Sequence, residues 1–196
     1  MCSKKVYVFD FDGTLTNSDT FIEFIRFSKG TRAFVLGLLR YLPILLLMKC
    51  GLYSNWRAKQ QVFAHFFAGM TIEEFNELCQ RFGQESRHLL RPQGQELVNQ
   101  LLEEQADVLV VSASMENWVR EFLDERVLVS ATQIEVIHGV VTGRLLGRNC
   151  YGQEKVERIR SLFPQRDTYQ LIAYGDSRGD KEMLDYADER HYRPFR

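Results

Sequence analysis

Two aspartates, Asp10 and Asp12, stand two residues apart where an apolar segment beginning at Val6 ends. Residues i and i+2 of an extended chain point the same way, so both carboxylates can face one site. Two neighbouring buried carboxylates are costly unless a cation offsets them or one holds a proton. The pair therefore indicates either an acidic turn or a site for acid–base or metal chemistry.

Polar groups also end two later apolar segments. Ser112-Ala113-Ser114 ends one and Gly175-Asp176-Ser177 ends the other, with Asp180 shortly after and Lys155 between the two segments. If the strands are parallel, these groups meet at one edge of a sheet. Carboxylate oxygens without cysteine or histidine suit Mg²⁺, and a hydroxyl, backbone N–H groups and an ammonium can surround a phosphoryl group.

The elements that must position these groups alternate between strands and helices. Buried strands are predicted at Lys5–Asp10, in ADVLVVSAS and in YQLIAYGDS, with a strand pair turning at His138-Gly139 and a last short strand in ERHYRPF. This alternation predicts an α/β fold with a mainly parallel, doubly wound sheet. Residues 18–91 are predicted to be helical, as an insertion above the carboxyl ends of the strands, where ligands bind in such sheets.

Composition excludes one class of partner. The 196 residues carry a net charge of −1, so no overall basic field attracts nucleic acid. Cys2, Cys50, Cys79 and Cys150 lie far apart, which predicts reduced thiols in a cytosolic protein. We expect a cytoplasmic protein and favour a monomer.

The leucine-rich segment from Phe34 to Tyr53 leaves three alternatives open. The one we favour is a helix pair buried within its own domain. The second is a surface that touches a membrane or an apolar substrate, which would place the protein at the periphery of the inner membrane. A membrane-spanning helix is disfavoured because Arg40, Pro43 and Lys49 interrupt the segment.

Four short motifs resemble, in their order along the chain, those of the haloacid dehalogenase superfamily. They are Asp10-Phe-Asp12-Gly13-Thr14-Leu15-Thr16, Ser112, Lys155 and Gly175-Asp176-Ser177-Arg178-Gly179-Asp180. The helical insertion after the first motif is similar to the cap of the class IB, phosphoserine-phosphatase-like branch. The resemblance implies a Rossmann-like core formed by residues 1–15 and 92–196, with a helical C1-type cap formed by residues 16–91.

The resemblance also implies roles for the acidic residues. Asp10 would be the nucleophile that forms an aspartyl-phosphate, and Asp12 the general acid and then the base. Mg²⁺ would be held by the side chains of Asp10 and Asp176 and by the backbone carbonyl of Asp12. Asp180 would hold metal-bound water or orient Lys155.

The remaining motif residues would bind the phosphoryl group. Ser112 and the backbone N–H of Ala113 would hold its oxygens, and Lys155 would neutralise their charge. Gly13 would let the backbone leave the strand sharply beside the phosphate.

The substrate implied by the resemblance is a phosphorylated small molecule or lipid. Asp19 stands where phosphoserine phosphatases usually have a glutamate that binds the amino group of serine, although it could instead cap a helix. The segments CYGQEKV and YGDSRGDKEMLDYADERHYRP are closer to relatives that dephosphorylate phosphatidylglycerophosphate. Arg26, Arg57 and Lys59 are candidate cap cations for either substrate.

We therefore expect a magnesium-dependent phosphomonoester phosphatase. The alternatives are a phosphotransferase or mutase that uses the same intermediate, and a non-catalytic module that binds phosphate or a membrane.

Overall fold

The computed structural model describes residues 4–196, so Cys2 lies outside the described residues. Its centre is a six-stranded sheet in the order β4-β3-β2-β1-β5-β6. All neighbouring strands are parallel except β3 and β4, which are antiparallel. The strands are β1 Lys4–Phe9, β2 Asp107–Met115, β3 Leu128–Ile137, β4 Val140–Leu146, β5 Tyr169–Gly175 and β6 Glu189–Tyr192. The predicted α/β fold with a mainly parallel sheet is confirmed.

Seven α-helices accompany the sheet in the described part of the chain. They are α1 Thr20–Lys49, α2 Asn55–Phe67, α3 Ile72–Glu85, α4 Pro92–Glu103, α5 Glu116–Glu121, α6 Gln153–Leu162 and α7 Lys181–Tyr186. Helices α1 to α3 lie between β1 and β2, in the range predicted to be a helical insertion. A capping box formed by Thr71 and Glu74 is present at the start of α3.

The central strands are buried on both faces, as a parallel sheet requires. Val6 and Val8 of β1 belong to a core cluster with Ile159 of α6 and Met183 of α7. Phe9 belongs to the larger cluster on the other face, which continues into the insertion. This packing fixes the end of β1, and with it Asp10, relative to the rest of the sheet.

Aromatic side chains of the insertion form part of the hydrophobic core. Phe24 of α1 contacts Phe67, Phe75 and Phe82 at ring-centroid distances of 5.2 to 5.7 Å. It also stacks on Trp118 of α5 at 4.6 Å. The insertion and the sheet domain therefore share one hydrophobic core near the site.

A second attachment joins the insertion to the β3–β4 hairpin through the backbone. The N–H of Gly69 donates to Val141, that of Val141 to Met70 and that of Ile72 to Gly139. This contact was not predicted, because sequence-distant backbone pairing leaves no local pattern. It ties residues 69–72 to a segment that follows β2 in the chain.

The favoured prediction for the leucine-rich segment is wrong. The segment forms the second part of one long helix, α1, which changes direction at Gly30, where φ is +79°. Its leucines are largely exposed, with 68% of Leu36 and 60% of Leu39 accessible to solvent. By length and composition α1 could cross a membrane, although a core helix or a signal sequence can pass the same test.

Candidate active site

The turn after β1 brings the chain against the end of β5. Asp10 ends β1, and its N–H donates to the carbonyl of Tyr174 in β5. Gly13 then adopts a φ of +80°, and a Cβ there would lie 2.6 Å from Oδ2 of Asp176. Only glycine fits that conformation and that approach, so Gly13 allows the turn to close on the carboxylate.

Three buried carboxylates meet at this edge of the sheet. Asp10, Asp176 and Asp180 each offer an oxygen, and these oxygens lie within 4.8 Å of one another. Lys155 of α6 is buried among them, with Nζ 2.5 Å from Oδ1 of Asp10 and 2.6 Å from Oδ1 of Asp180. The guanidinium of Arg196 contacts Asp176 from the other side.

The charges in this cluster are unevenly compensated. Burial raises the pKa of Asp10 to about 8 against the lowering effect of Lys155, and burial also raises the pKa of Asp176. Burial acts to raise the pKa of Asp180 as well, but Lys155 and the hydrogen bonds from Ser177 together outweigh it and hold that pKa below its usual value. Burial alone would lower the pKa of Lys155, yet Asp10 and Asp180 hold it above its ordinary value. Asp10 and Asp176 are therefore the carboxylates that a further cation would stabilise most.

This donor set fits a magnesium ion. The three residues supply only oxygen atoms, as hard cations such as Mg²⁺ require, and all are buried. Asp180 is pre-oriented, because its Oδ2 accepts hydrogen bonds from the backbone N–H of Asp176 and from both the N–H and the hydroxyl of Ser177.

Asp12 lies in a separate hydrogen-bonding pocket. Its Oδ1 accepts from the N–H of Thr20 at 2.8 Å and from the Thr20 hydroxyl at 2.6 Å. Its Oδ2 accepts from the hydroxyl of Ser114 at 2.5 Å. Burial raises the pKa of Asp12, and the charge of Asp19 raises it further. Asp12 is thus the carboxyl group suited to hold a proton.

Sequence reasoning missed three residues that position Asp12. Ser114 and Thr20 bind its carboxylate, and Trp118 donates from Nε1 to the Thr20 hydroxyl at 3.1 Å. One signal was available, since Ser114 is two residues after Ser112 in a strand. The other two contacts depend on how α1 and α5 pack, which no local pattern shows.

The predicted phosphoryl-binding residues are placed at the end of β2. Ser112 is fully buried, and its hydroxyl accepts from the N–H of Ser114 at 3.0 Å. Ala113 lines the cavity above the carboxylate cluster. Ser112 does not belong to the lining of that cavity in the part of the chain that the structure describes. The carbonyl of Ala113 accepts from Nζ of Lys59 at 2.7 Å and from the hydroxyl of Thr132 at 2.9 Å.

A cavity of about 550 Å³ opens above the cluster, between the sheet and the insertion. Asp10, Asp12 and Lys155 lie at its polar end. Away from that end the lining is mostly apolar, with a few polar side chains that include Asn55, Lys59 and Asn149. The apolar part comes from one face of α1 and from α2: Phe34, Gly37, Leu38, Tyr41, Leu45, Met48, Val62 and Phe66.

The remaining candidates divide by position. Asp19 lines the cavity and also caps α1, because its Oδ1 accepts from the N–H of Phe21 at 3.0 Å and of Ile22 at 3.4 Å. Lys59 is the one predicted cap cation among the described cavity-lining residues. Arg26 is paired with Glu23 on the surface, and Arg57 is exposed.

A buried acid cluster with a lysine lies at the carboxyl edge of the parallel sheet and beneath the helical insertion, which makes this cavity the candidate active site. Residues 7–185 match the family of haloacid dehalogenase-like hydrolases, and the chain belongs to that family. It is therefore a hydrolase, and the resemblance of its motifs to this family is confirmed.

Known proteins share the sequence or the fold over nearly the whole chain. The protein CicA of Caulobacter vibrioides (strain NA1000 / CB15N) is 34% identical over 194 residues, covering 96% of this chain and 85% of that protein. A protein of unknown function from Bordetella pertussis Tohama I superposes with a TM-score of 0.81 at 19% identity, covering 96% and 89% of the two chains. A substrate-bound phosphoserine phosphatase superposes with a TM-score of 0.66 at 20% identity, covering 98% and 87%. At these identities the two solved structures show the common fold alone.

Proposed function

We propose that this hydrolase is a magnesium-dependent phosphomonoester phosphatase that works through an aspartyl-phosphate on Asp10. The observation that carries the proposal is the separation of the first two aspartates. Asp10 lies in the carboxylate cluster, paired with Lys155, whereas Asp12 is held apart by Ser114 and Thr20. One carboxylate is thereby suited to attack and the other to carry a proton.

The first half-reaction transfers the phosphoryl group to the protein. A carboxylate oxygen of Asp10 forms a bond to phosphorus while the bond from phosphorus to the ester oxygen breaks. Protonated Asp12 gives its proton to the departing oxygen, which leaves as an alcohol. Lys155 and the backbone N–H of Ala113 stabilise the negative charge on the phosphoryl oxygens, and Ser112 orders the end of β2 that presents this N–H.

The second half-reaction regenerates the enzyme. Asp12, now ionised, takes a proton from a water molecule whose oxygen attacks phosphorus. The bond between phosphorus and Asp10 breaks, and inorganic phosphate leaves. Both aspartates have then returned to their starting protonation states.

The metal site proposed for this reaction uses Asp10, Asp176 and the backbone carbonyl of Asp12, and Asp180 orients Lys155. When bound, Mg²⁺ supplies positive charge that keeps Asp10 ionised and offsets the charge of the phosphoryl group.

For the substrate, the apolar cavity wall favours an amphiphilic phosphate such as a lipid phosphate. Cavities that bind small polar metabolites need polar groups beyond the phosphate site. Here most of the cavity lining away from the catalytic end is apolar, although Asn55, Lys59 and Asn149 also line it, and Asp19 is already engaged in capping α1. Phosphoserine is the alternative, and it would use Asp19 for its amino group.

The test is phosphate release with Mg²⁺ from phosphoserine, sugar phosphates, nucleotides, and lysophosphatidate and phosphatidylglycerophosphate in micelles. We expect the lipid phosphates to give the highest kcat/KM, and Asp10→Asn to abolish release while the exposed control Asp167→Asn retains it. No release from any member would refute the proposed activity. Transfer of phosphate to an added alcohol in preference to water would instead establish the phosphotransferase.

A further inference from the structure

The exposed face of α1 after Gly30 is mostly apolar. Val35, Leu36, Leu39, Leu42, Leu46 and Leu47 are each at least 43% exposed, and Leu52 just beyond the helix is 76% exposed. Single exposed leucines are ordinary on soluble proteins, but a contiguous row of them marks a surface that is covered in use. We call this row, from Val35 to Leu52, the leucine face.

The segment that carries the leucine face has only positive charges among its own side chains, although Glu154 and Glu157 of α6 line a cavity with Ser54 and Trp56 beyond its end. Between Phe24 and Ile72 the chain has seven lysines and arginines and no aspartate or glutamate, although the whole protein has a net charge of −1. Among these cations Arg32, Arg40, Lys49 and Arg57 are exposed. An apolar helix face with basic residues beside it complements an anionic lipid surface, where leucines enter the acyl boundary and cations meet the headgroups.

We propose that the leucine face docks this protein on an anionic phospholipid bilayer, with α1 lying in the plane of the interface. This docking is measured without turnover, so it stands or falls separately from the proposed phosphatase activity.

A spanning orientation does not suit this helix. After Gly30, α1 is about 28 Å long at a rise of about 1.5 Å per residue, close to the thickness of the hydrocarbon core. However, Arg40 lies near the middle of that stretch. The opposite side of the same helix packs on α2, where a Cβ at Gly37 would lie 2.3 Å from the ring of Phe66. Lipid can therefore cover only one side of α1.

A second copy of the chain is also a poor occupant. An interface built from two leucine faces would bring two strips of cations together with no acidic residue from residues 24–72 to pair with them. Like charges across an interface oppose association.

The leucine face is continuous with the catalytic cavity. Leu38 lines the cavity and is also 43% exposed, and its neighbours Phe34 and Tyr41 line the cavity on the inner side of α1. Docking would thus place an apolar path between the bilayer and the carboxylate cluster. A phosphorylated amphiphile could keep its chains along this path while its phosphate reaches the cluster.

The test is flotation of the full-length chain with vesicles of phosphatidylcholine alone and of phosphatidylcholine with phosphatidylglycerol. We expect binding to the anionic vesicles only, weakened by added salt and reversed by alkaline carbonate. The variant Leu36→Asn/Leu39→Asn/Leu46→Asn should partition at least about tenfold less, because its leucines no longer enter the lipid. Leu128→Asn/Leu146→Asn/Leu162→Asn is the matched control, since its three leucines are 43–45% exposed elsewhere.

Circular dichroism melts of both triple variants establish that each is folded. Equal partitioning of the two variants, or a parent that binds no vesicles, would overturn the proposal. Retention after carbonate would replace it with a spanning helix. A concentration-dependent dimer in sedimentation that only the first variant disrupts, without vesicle binding, would replace it with self-association.

Discussion

Substitution of Ser114 by alanine should move the alkaline limb of the pH–rate profile. The Ser114 hydroxyl donates to Oδ2 of Asp12 at 2.5 Å, and this hydrogen bond stabilises the ionised carboxylate. A hydrogen bond to a charged group is worth about 1.5–3 kcal/mol, and one pKa unit corresponds to about 1.4 kcal/mol. Its loss should therefore raise the pKa of Asp12 by about one to two units.

The direction in which the alkaline limb shifts follows from the role of Asp12 as the general acid. The enzyme is active while Asp12 is protonated, so kcat/KM falls as the pH rises through its pKa. In Ser114→Ala the proton is held to higher pH, and the alkaline limb should shift upward by the same one to two units. The assay is kcat/KM against pH with a soluble phosphomonoester at saturating Mg²⁺.

The matched control is Ser28→Ala. The Ser28 hydroxyl donates within α1 to the carbonyls of Phe24 and Ile25 and does not contact Asp12. Its profile should match the parent's. An alkaline limb that stays in place or moves to lower pH in Ser114→Ala, in a protein that melts normally, would refute the assignment of Asp12 as the proton donor.

Three further predictions concern the same cluster. Lys155→Met leaves Asp10 and Asp180 buried without their cation, which should cost about 3–5 kcal/mol and lower Tm by roughly 10 °C in calorimetry; an unchanged Tm would contradict the buried ion pairs. Asp19→Asn keeps a helix-capping side chain but removes the charge that raises the pKa of Asp12, so the alkaline limb of kcat/KM should move to lower pH at nearly constant Tm; an upward shift would exclude that charge as the cause. Removal of divalent ions with a chelator should abolish phosphate release, and Mg²⁺ should restore it; full activity in the chelator would disprove the metal requirement.

The acidic residues of the site could be predicted because each stands at the end of an apolar strand or directly after it. Asp10 and Asp176 are in this position, and parallel pairing of β1 and β5 brings them together. Lys155 could be predicted as well, because it begins a helix between two such strands. These patterns are local, and the parallel sheet then brings the residues together at one edge.

The support of Asp12 could not be predicted in the same way. Thr20 begins a helix and Trp118 lies in another, so each has an ordinary structural explanation in the sequence. Trp118 donates to Thr20, and Thr20 donates to Asp12, only because α1 and α5 pack together beside β2. Long-range packing of this kind leaves no periodic pattern in either segment.

The surroundings of the leucine-rich segment also could not be predicted from the sequence. A helix that is apolar nearly all round is compatible with a buried core, a membrane or a partner. Whether Leu36 and Leu39 are covered depends on how many elements surround α1. In the structure α2 covers one side, while both leucines remain exposed. The division of the chain into a core and a cap at residues 16 and 91 stays a prediction. Any movement of that cap would have to break or carry along the backbone hydrogen bonds between residues 69–72 and the β3–β4 hairpin.

The most direct test of the central claim is chemical trapping of the covalent intermediate. The enzyme is mixed with a phosphomonoester and Mg²⁺, quenched in acid and reduced with borohydride, which converts an aspartyl-phosphate to homoserine. Peptide mass spectrometry should find homoserine at position 10. The same experiment is repeated with the Asp12→Asn variant, which lacks the base of the second half-reaction, and the modification should again fall on Asp10. Modification at Asp10 alone is the predicted result. Turnover without modification, or homoserine at position 12, would contradict the account.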